Sequence, residues 1–223
     1  MQKIPQRPFH YDPPTDPPYH LIHKNEHFLV LDKPANLLSV PGRPQEHKDS
    51  LATRVQKDFP SATVVHRLDM ATSGLIIMPL TAEMHAHLGR QFENREVKKV
   101  YIADVYGQTN LNRGVIEAPL TVDWPNRPRQ IVDFDEGRPS VTRYKTLERM
   151  PDYSRMLLKP VTGRTHQLRV HMQYIGHPIL GDDLYAPDAA YVGYHRLHLH
   201  ALRIRFKNLS NETVKFTSRV PFP

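Results

Sequence analysis

The hydrophobic pattern of this chain changes period repeatedly along its length. His27–Leu31 is almost continuously apolar and stops at Lys33-Pro34, which predicts a short strand. Over Asp49–Asp58 the spacing turns helical, with Leu51 and Val55 one turn apart. Thr63–Leu68 and Gly74–Leu80 predict two strands around the polar turn Ala71-Thr72-Ser73-Gly74. Met84, Leu88 and Phe92 then recur on one helical face, with Thr81 where an N-cap belongs. Val100–Val105, Val141–Leu147 and Arg155–Leu158 predict further strands, and Pro125 and Pro128 break Asp123–Gln130 into a loop. Leu168, Met172 and Ile175 predict a short helix capped by Thr165 and stopped at Gly176. Its apolar face would be buried and its polar groups turned to a cleft or to solvent. His198–Phe206 and Val214–Thr217 predict a closing hairpin around Asn208–Asn211. Strands outnumber helices and do not alternate strictly with them, so the fold class is α+β.

The first 18 residues break this pattern. They hold Pro5, Pro8, Pro13, Pro14, Pro17 and Pro18, which predict an extended arm over 1–18. Its Phe9, Tyr11 and Tyr19 are placed to pack onto the rest. Residues 19–223 then read as one domain, a size that suits a chain of 223 residues. The longest apolar run, Gly74 to Leu80, is far short of the roughly 18 residues of a membrane span. Met1-Gln-Lys-Ile-Pro lacks the apolar stretch of a signal peptide. No membrane partner and a cytoplasmic location are expected.

Composition narrows the chemistry. Lys plus Arg is 30 against 23 Asp plus Glu, a net charge of +7 that favours a polyanionic partner, nucleic acid first. The absence of cysteine excludes disulfides, thiolate nucleophiles and Cys zinc sites. No Gly-rich loop supports a nucleotide cofactor. The histidine pairs His166/His171 and His198/His200 have no close acidic partner in sequence to complete a ligand triad, so a His-metal hydrolase ranks last.

Four constellations remain. In His66-Arg67-Leu68-Asp69-Met70-Ala71-Thr72-Ser73-Gly74 an acid stands where a strand gives way to a turn, a place where scaffolds present reactive groups. Arg67 and Asp69, two apart, also fit a solvated ion pair of little consequence. Gly163-Arg164-Thr165-His166-Gln167-Leu168-Arg169-Val170-His171 gathers arginines at a helix start, where phosphate binds, though a solvated helix face has the same look. Tyr101, in Lys98-Lys99-Val100-Tyr101-Ile102-Ala103-Asp104-Val105, is placed on a strand as a stacking platform or an ordinary half-buried tyrosine. Asp123-Trp124-Pro125-Asn126-Arg127-Pro128-Arg129-Gln130 joins the only Trp to arginines on a proline-stiffened loop, which suits single-stranded RNA.

Together these segments resemble the RluA family of pseudouridine synthases. The carriers are His66-Arg67-Leu68-Asp69-x-x-Thr72-Ser73-Gly74, Lys98-Lys99-x-Tyr101-x-Ala103-x-Val105-x-Gly107, Gly163-Arg164-x-His166-Gln167-Leu168-Arg169-x-His171 followed by Gly176-His177-Pro178-Ile179-x-Gly181-Asp182, and Leu199-His200-Ala201. They run in order from about Tyr19 to Pro223. Leu37–Arg43 with Glu46–Ser50, and Asp123–Pro128, resemble the dual-specificity branch of that family, which acts on 23S ribosomal RNA and tRNA anticodon stem-loops. With 18 residues before Tyr19, the S4-type domain of many relatives is not expected here. Pro79 departs from the expected strand and implies an edge or a bulge.

The resemblance implies a bent, mixed, mostly antiparallel sheet flanked by helices and loops around a central cleft. It implies that Asp69 is the catalytic carboxylate, that Tyr101 stacks on the uracil, and that Arg169 pairs with Asp69. Arg67 would flip the base or fill its place, and Leu199 would floor it. Arg164, His166, Trp124, Arg127, Arg129 and Arg43 complete the expected RNA contacts. Structured RNA is the expected partner, with no cofactor, no metal and a monomeric state. A non-catalytic RNA-binding or chaperone protein on the same fold is the alternative; it has no need of Asp69, Tyr101 and Arg169 together.

Overall fold

The computed structural model describes Arg7 and residues 10–223. The remaining positions of the expected arm, among them Pro5, Pro8 and Phe9, lie outside the described residues. In chain order the elements are β1 (His20–Lys24), β2 (Phe28–Lys33), α1 (Leu51–Asp58), β3 (Ser73–Pro79), α2 (Ala82–Glu93), β4 (Lys98–Tyr106), β5 (Arg113–Glu117), β6 (Leu120–Val122) and β7 (Gln130–Val132). They continue with β8 (Val141–Arg149), β9 (Tyr153–Pro160), α3 (Gln167–Tyr174), α4 (Asp188–Tyr191), β10 (Leu199–Lys207) and β11 (Thr213–Thr217). The residues cluster into two units. Among the described residues, one holds Arg7, 100–199 and Phe222; the other holds 10–99, 200–221 and Pro223. The chain crosses between them inside β4 and inside β10.

In the unit built from 10–99 and 200–221, strands run in the order β1, β2, β3, β10, β11. All pairs are antiparallel except β3 with β10, so this sheet is mixed. The continuous apolar run of β3 is explained by its burial on every residue from Ser73 to Pro79. Phe28, Val30, Leu75, Ile77, Ile204 and Phe206 of the sheet close a core against Met84 and Leu88 of α2. Thr81 caps that helix by accepting the Met84 N–H. Ser50 caps α1 with a full capping box to Thr53.

The predicted strand over Thr63–Leu68 is an irregular segment with a bend at Val65 instead. It flanks β3 but bonds to it through the Thr63 N–H, which reaches the Pro79 carbonyl, and through the His66 ring, which accepts the Ile77 N–H. A side chain thus replaces a ladder bond, and Pro79, the last residue of β3, need not donate. From residue 10 on, the arm is pinned to this unit. Tyr11 donates to the Asp49 carbonyl and accepts from Leu38, and the buried Arg54 donates to the carbonyls of Pro14 and Pro18.

The unit of 100–199 carries an antiparallel sheet in the order β4, β9, β8, β5, with β6 and β7 as a separate hairpin. Helix α3 contacts β7, β8 and β9. It differs from its predicted form in two ways. Thr165 does not cap it; His166 stands at the N-cap in a left-handed conformation, without a side-chain cap bond. Its polar groups do not face solvent either: Gln167, Arg169 and His171 are as buried as Leu168 and Met172. Each is satisfied internally, Gln167 by Thr142, Thr162 and Arg164 and His171 by Thr142 and Ala118.

One close approach fixes β3 to β10. Gly74 has φ +111°, and a Cβ there would lie 2.5 Å from the Ala201 backbone. Gly74→Ala should therefore lower stability by about 1–3 kcal/mol from strain alone, with the clash adding more. Urea denaturation would measure it.

Candidate active site

Asp69 sits on the turn that leads into β3, with its carbonyl accepting the Thr72 N–H at 3.1 Å. The peptides on both sides of it are held by side chains. Ser39 Oγ donates to the Leu68 carbonyl at 2.8 Å and accepts the Leu68 N–H at 3.1 Å. Lys33, with 0% exposure, donates to the carbonyls of Met70 (2.9 Å), Leu37 (2.6 Å) and Pro34 (2.8 Å). Three acceptors match the three donors of the ammonium group, which is what makes a buried lysine tolerable. The Asp69 side chain itself is half-buried and, among the described residues of this unit, makes no hydrogen bond or ion pair. Arg67 is exposed, and the Arg67–Asp69 pair that the spacing also permits does not form.

The flanks of this turn are fixed as well. His66 stacks on Phe92 at 4.6 Å, and Lys99 approaches the same ring. Burial foremost, then the Lys99 charge, pushes the His66 imidazole down to about 3. Because its Nε2 accepts from Ile77, only the neutral ring fits. Downstream, Ser73 shares a hydrogen bond with His200 Nδ1 (2.8 Å), His200 Nε2 meets Ser218 Oγ (3.0 Å), and Ser218 bonds Asp32.

His66 and His200 are thus spent on structure. His198 does have an acid beside it, contrary to expectation: Asp104 lies at 3.1 Å, but Arg155 already forks that carboxylate. Burial holds the His171 imidazole below its usual value, so it too is neutral in its bonds to Thr142 and Ala118.

In the other unit, Tyr101 lies in β4 opposite Leu158 and is 9% exposed. Arg169 is buried at the start of α3 and held by two carboxylates. Its Nε and Nη2 fork Asp182 at 2.8 and 2.6 Å, and Nη2 also reaches Asp183 at 2.7 Å. Its guanidinium lies over the Tyr185 ring. The Tyr185 hydroxyl bonds His166 Nδ1 (2.7 Å) and accepts the Gln130 N–H (2.8 Å), tying the start of α3 to the base of the tryptophan loop. The backbone N–H groups of Leu184 and Tyr185 cap Asp182 Oδ1. Arg7 donates to the Asp183 and Ala186 carbonyls and to Asp188, anchoring on the same loop.

Of the expected RNA contacts, Trp124 is 67% exposed with the Arg127 guanidinium over its ring. Arg43, Arg127 and Arg164 are exposed, Arg129 and His166 are half-buried, and Leu199 is buried. Sequence reasoning missed Lys33, Ser39, Asp183 and Tyr185. A lysine ending an apolar strand was a usable signal, as was the Gly181-Asp182 turn; Ser39 offered none.

Two outcomes follow. Ser39→Ala leaves the Leu68 N–H and C=O unpaired in the interior and should cost about 1–3 kcal/mol in urea denaturation, with Ser39→Thr milder. For His66 the folded value lies below the unfolded value near 6.5, so the unfolded chain binds the extra proton. Stability should fall as pH drops from about 6.5 toward about 3. His66→Gln, which keeps an acceptor for Ile77, should flatten that acid limb.

Comparison with known proteins shows the family. The RNA pseudouridylate synthase family model matches residues 27–174. The dual-specificity RNA pseudouridine synthase RluA of Escherichia coli strain K12 is 50% identical over 192 residues, 86% of this chain and 88% of that protein. The Vibrio cholerae protein of the same name is 50% identical over 196 residues, 88% of this chain and 80% of its own. Among solved structures, human RNA Pseudouridylate Synthase Domain Containing 1 superposes with a TM-score of 0.78 at 29% identity, covering 92% of this chain and 84% of its own. A family match over residues 27–174 and relatives half identical over most of their length show that the chain belongs to the RNA pseudouridine synthase family, isomerases that act on RNA.

Proposed function

We propose that this enzyme converts uridine to pseudouridine in 23S ribosomal RNA and in tRNA anticodon stem-loops, with Asp69 as its one catalytic carboxylate. The observation that carries the reading is the Asp69 side chain, uncommitted within its unit while both neighbouring peptides are held. The breadth of substrate rests on the name of the 50%-identical relatives and on the segments Leu37–Arg43 and Asp123–Pro128.

The reaction breaks the C1′–N1 bond, turns the uracil and joins C1′ to C5, and the C5 proton leaves. Uracil departs as an anion, so an ionised carboxylate suits the step, by attack at C1′ or by taking the 2′ proton. One carboxylate suffices, whereas glycoside hydrolysis needs two about 5–10 Å apart. Nothing is oxidised or reduced, so the residues need no cofactor. Arg169 pairs with Asp69 in the RNA complex and favours its charged form. Tyr101 stacks on the uracil, its hydroxyl near the proton that leaves C5, and Leu199 floors the base. The base must be extruded at a cost of a few kcal/mol. Exposed Arg67 fills its place, and Trp124, Arg127, Arg129, Arg43, Arg164 and His166 hold the surrounding RNA.

Such an enzyme acts in the cytoplasm as a monomer. Among the described residues no helix is long and apolar enough to cross a membrane.

Asp69→Asn should abolish pseudouridine in both RNAs, mapped by carbodiimide and primer extension, and leave RNA affinity nearly unchanged. Full activity in that variant would overturn the assignment. EDTA should leave the wild-type rate unchanged.

A further inference from the structure

The sheet of the 100–199 unit has one face that the proposed chemistry does not use. On β8, Arg143 and Lys145 point to one side and are exposed, while Thr142 and Thr146 point to the other and are buried. The register places Arg113 of β5 directly opposite Lys145, and Lys159 of β9 directly opposite Arg143. Arg113 and Lys159 are exposed as well. Four cations therefore stand side by side, about 5 Å apart across the strands and about 7 Å along them.

Like charges opposed across a sheet destabilise it by several tenths of a kcal/mol per pair. Among the described residues none of the four makes an ion pair or hydrogen bond through its side chain. Acids reach this face only at its margins. Glu117 closes the far end of β5, opposite Val141. Glu148 lies past the β8 bulge, opposite Arg155, which Asp104 already holds. Val115, opposite Arg143, is 52% exposed, so no other element covers the stripe.

The register also separates this stripe from Tyr101. Tyr101 pairs with Leu158, which pairs with Tyr144, whose ring packs under Gly114. Directly opposed residues share a face, so Tyr101 and Tyr144 point to the side where α3 meets Thr142. Arg143, Lys145, Arg113 and Lys159 point to the other side. RNA seated on Tyr101 cannot touch them unless a flanking segment passes around the edge strand β5.

We infer that Arg113, Arg143, Lys145 and Lys159 form a second RNA-backbone contact, one that grips RNA flanking the target loop and is separate from the catalytic face. The inference rests on the function proposed above. It assigns part of the affinity for long substrates to this stripe, which reads phosphates and no bases.

The test is a fourfold variant, Arg113→Gln, Arg143→Gln, Lys145→Gln and Lys159→Gln, in the full chain. Its urea midpoint should be unchanged or higher, since two like-charge pairs are removed. Binding to a short anticodon-type stem-loop and to an extended 23S fragment is measured across a salt series. The slope of log affinity against log salt should fall by about 3 for the extended RNA, at 0.7–0.9 per phosphate contact, and stay the same for the stem-loop. An unchanged slope and affinity on the extended RNA would overturn the inference and leave the stripe to an acidic protein. An equal loss on both RNAs would also overturn it, by placing these residues at the target loop. Pseudouridine formation by the parent protein reports separately on the function itself, because the binding series does not depend on turnover.

Discussion

The peptide groups of Leu68 and Met70 decide where the Asp69 carboxylate points. A turn at the end of an irregular segment has few ladder bonds of its own, so its geometry must come from elsewhere. Here it comes from a serine that satisfies both backbone groups of Leu68 and from a buried lysine that holds Met70. Neither group contributes much net stability as a single hydrogen bond. Their effect is positional, and a reacting group displaced by about 1 Å can lose a hundredfold in rate. His66 and Ser73 extend the same fixation into β3, so the turn is tied to the most buried strand of its unit.

The guanidinium of Arg169 is built by the same logic. Two carboxylates and an aromatic ring hold it at the start of α3, and the Asp182 side chain is itself capped by two backbone N–H groups. A fork held this way loses little freedom when it meets a further anion. Tyr185 carries the arrangement outward, because its hydroxyl links His166 to the strand that follows the tryptophan loop. Charge that the whole-chain figure of +7 left undirected is thus divided. Some of it is locked in forks such as those of the buried Arg169 and the half-buried Arg155, and some is left bare on exposed strands and loops.

Much of this was legible in the residues. The apolar run of β3, the Thr81 cap and the closing hairpin fell where period and capping rules put them. Thr63–Leu68 did not, because period 2 marks an extended chain and cannot say whether a side chain such as His66 will replace the ladder. Nor did the polar face of α3. A helix with two arginines and two histidines around its start reads as amphipathic, yet tertiary partners at Thr142, Asp182 and Ala118 satisfy Gln167, Arg169 and His171 inside. The motif carrying Asp69 was visible as an acid on a turn. Its supports were not, because Lys33 and Ser39 are brought to it by strand pairing and not by spacing.

Asp69→Glu examines most directly whether fixed peptides place the one carboxylate that acts on uridine. The substitution keeps the charge and the chemistry and moves the carboxylate by one methylene, while Ser39 and Lys33 prevent the turn from compensating. Measured as a single-turnover rate of pseudouridine formation at saturating RNA, the variant should be slower by about a hundredfold or more, with RNA affinity unchanged. A rate close to that of the wild type would contradict the account.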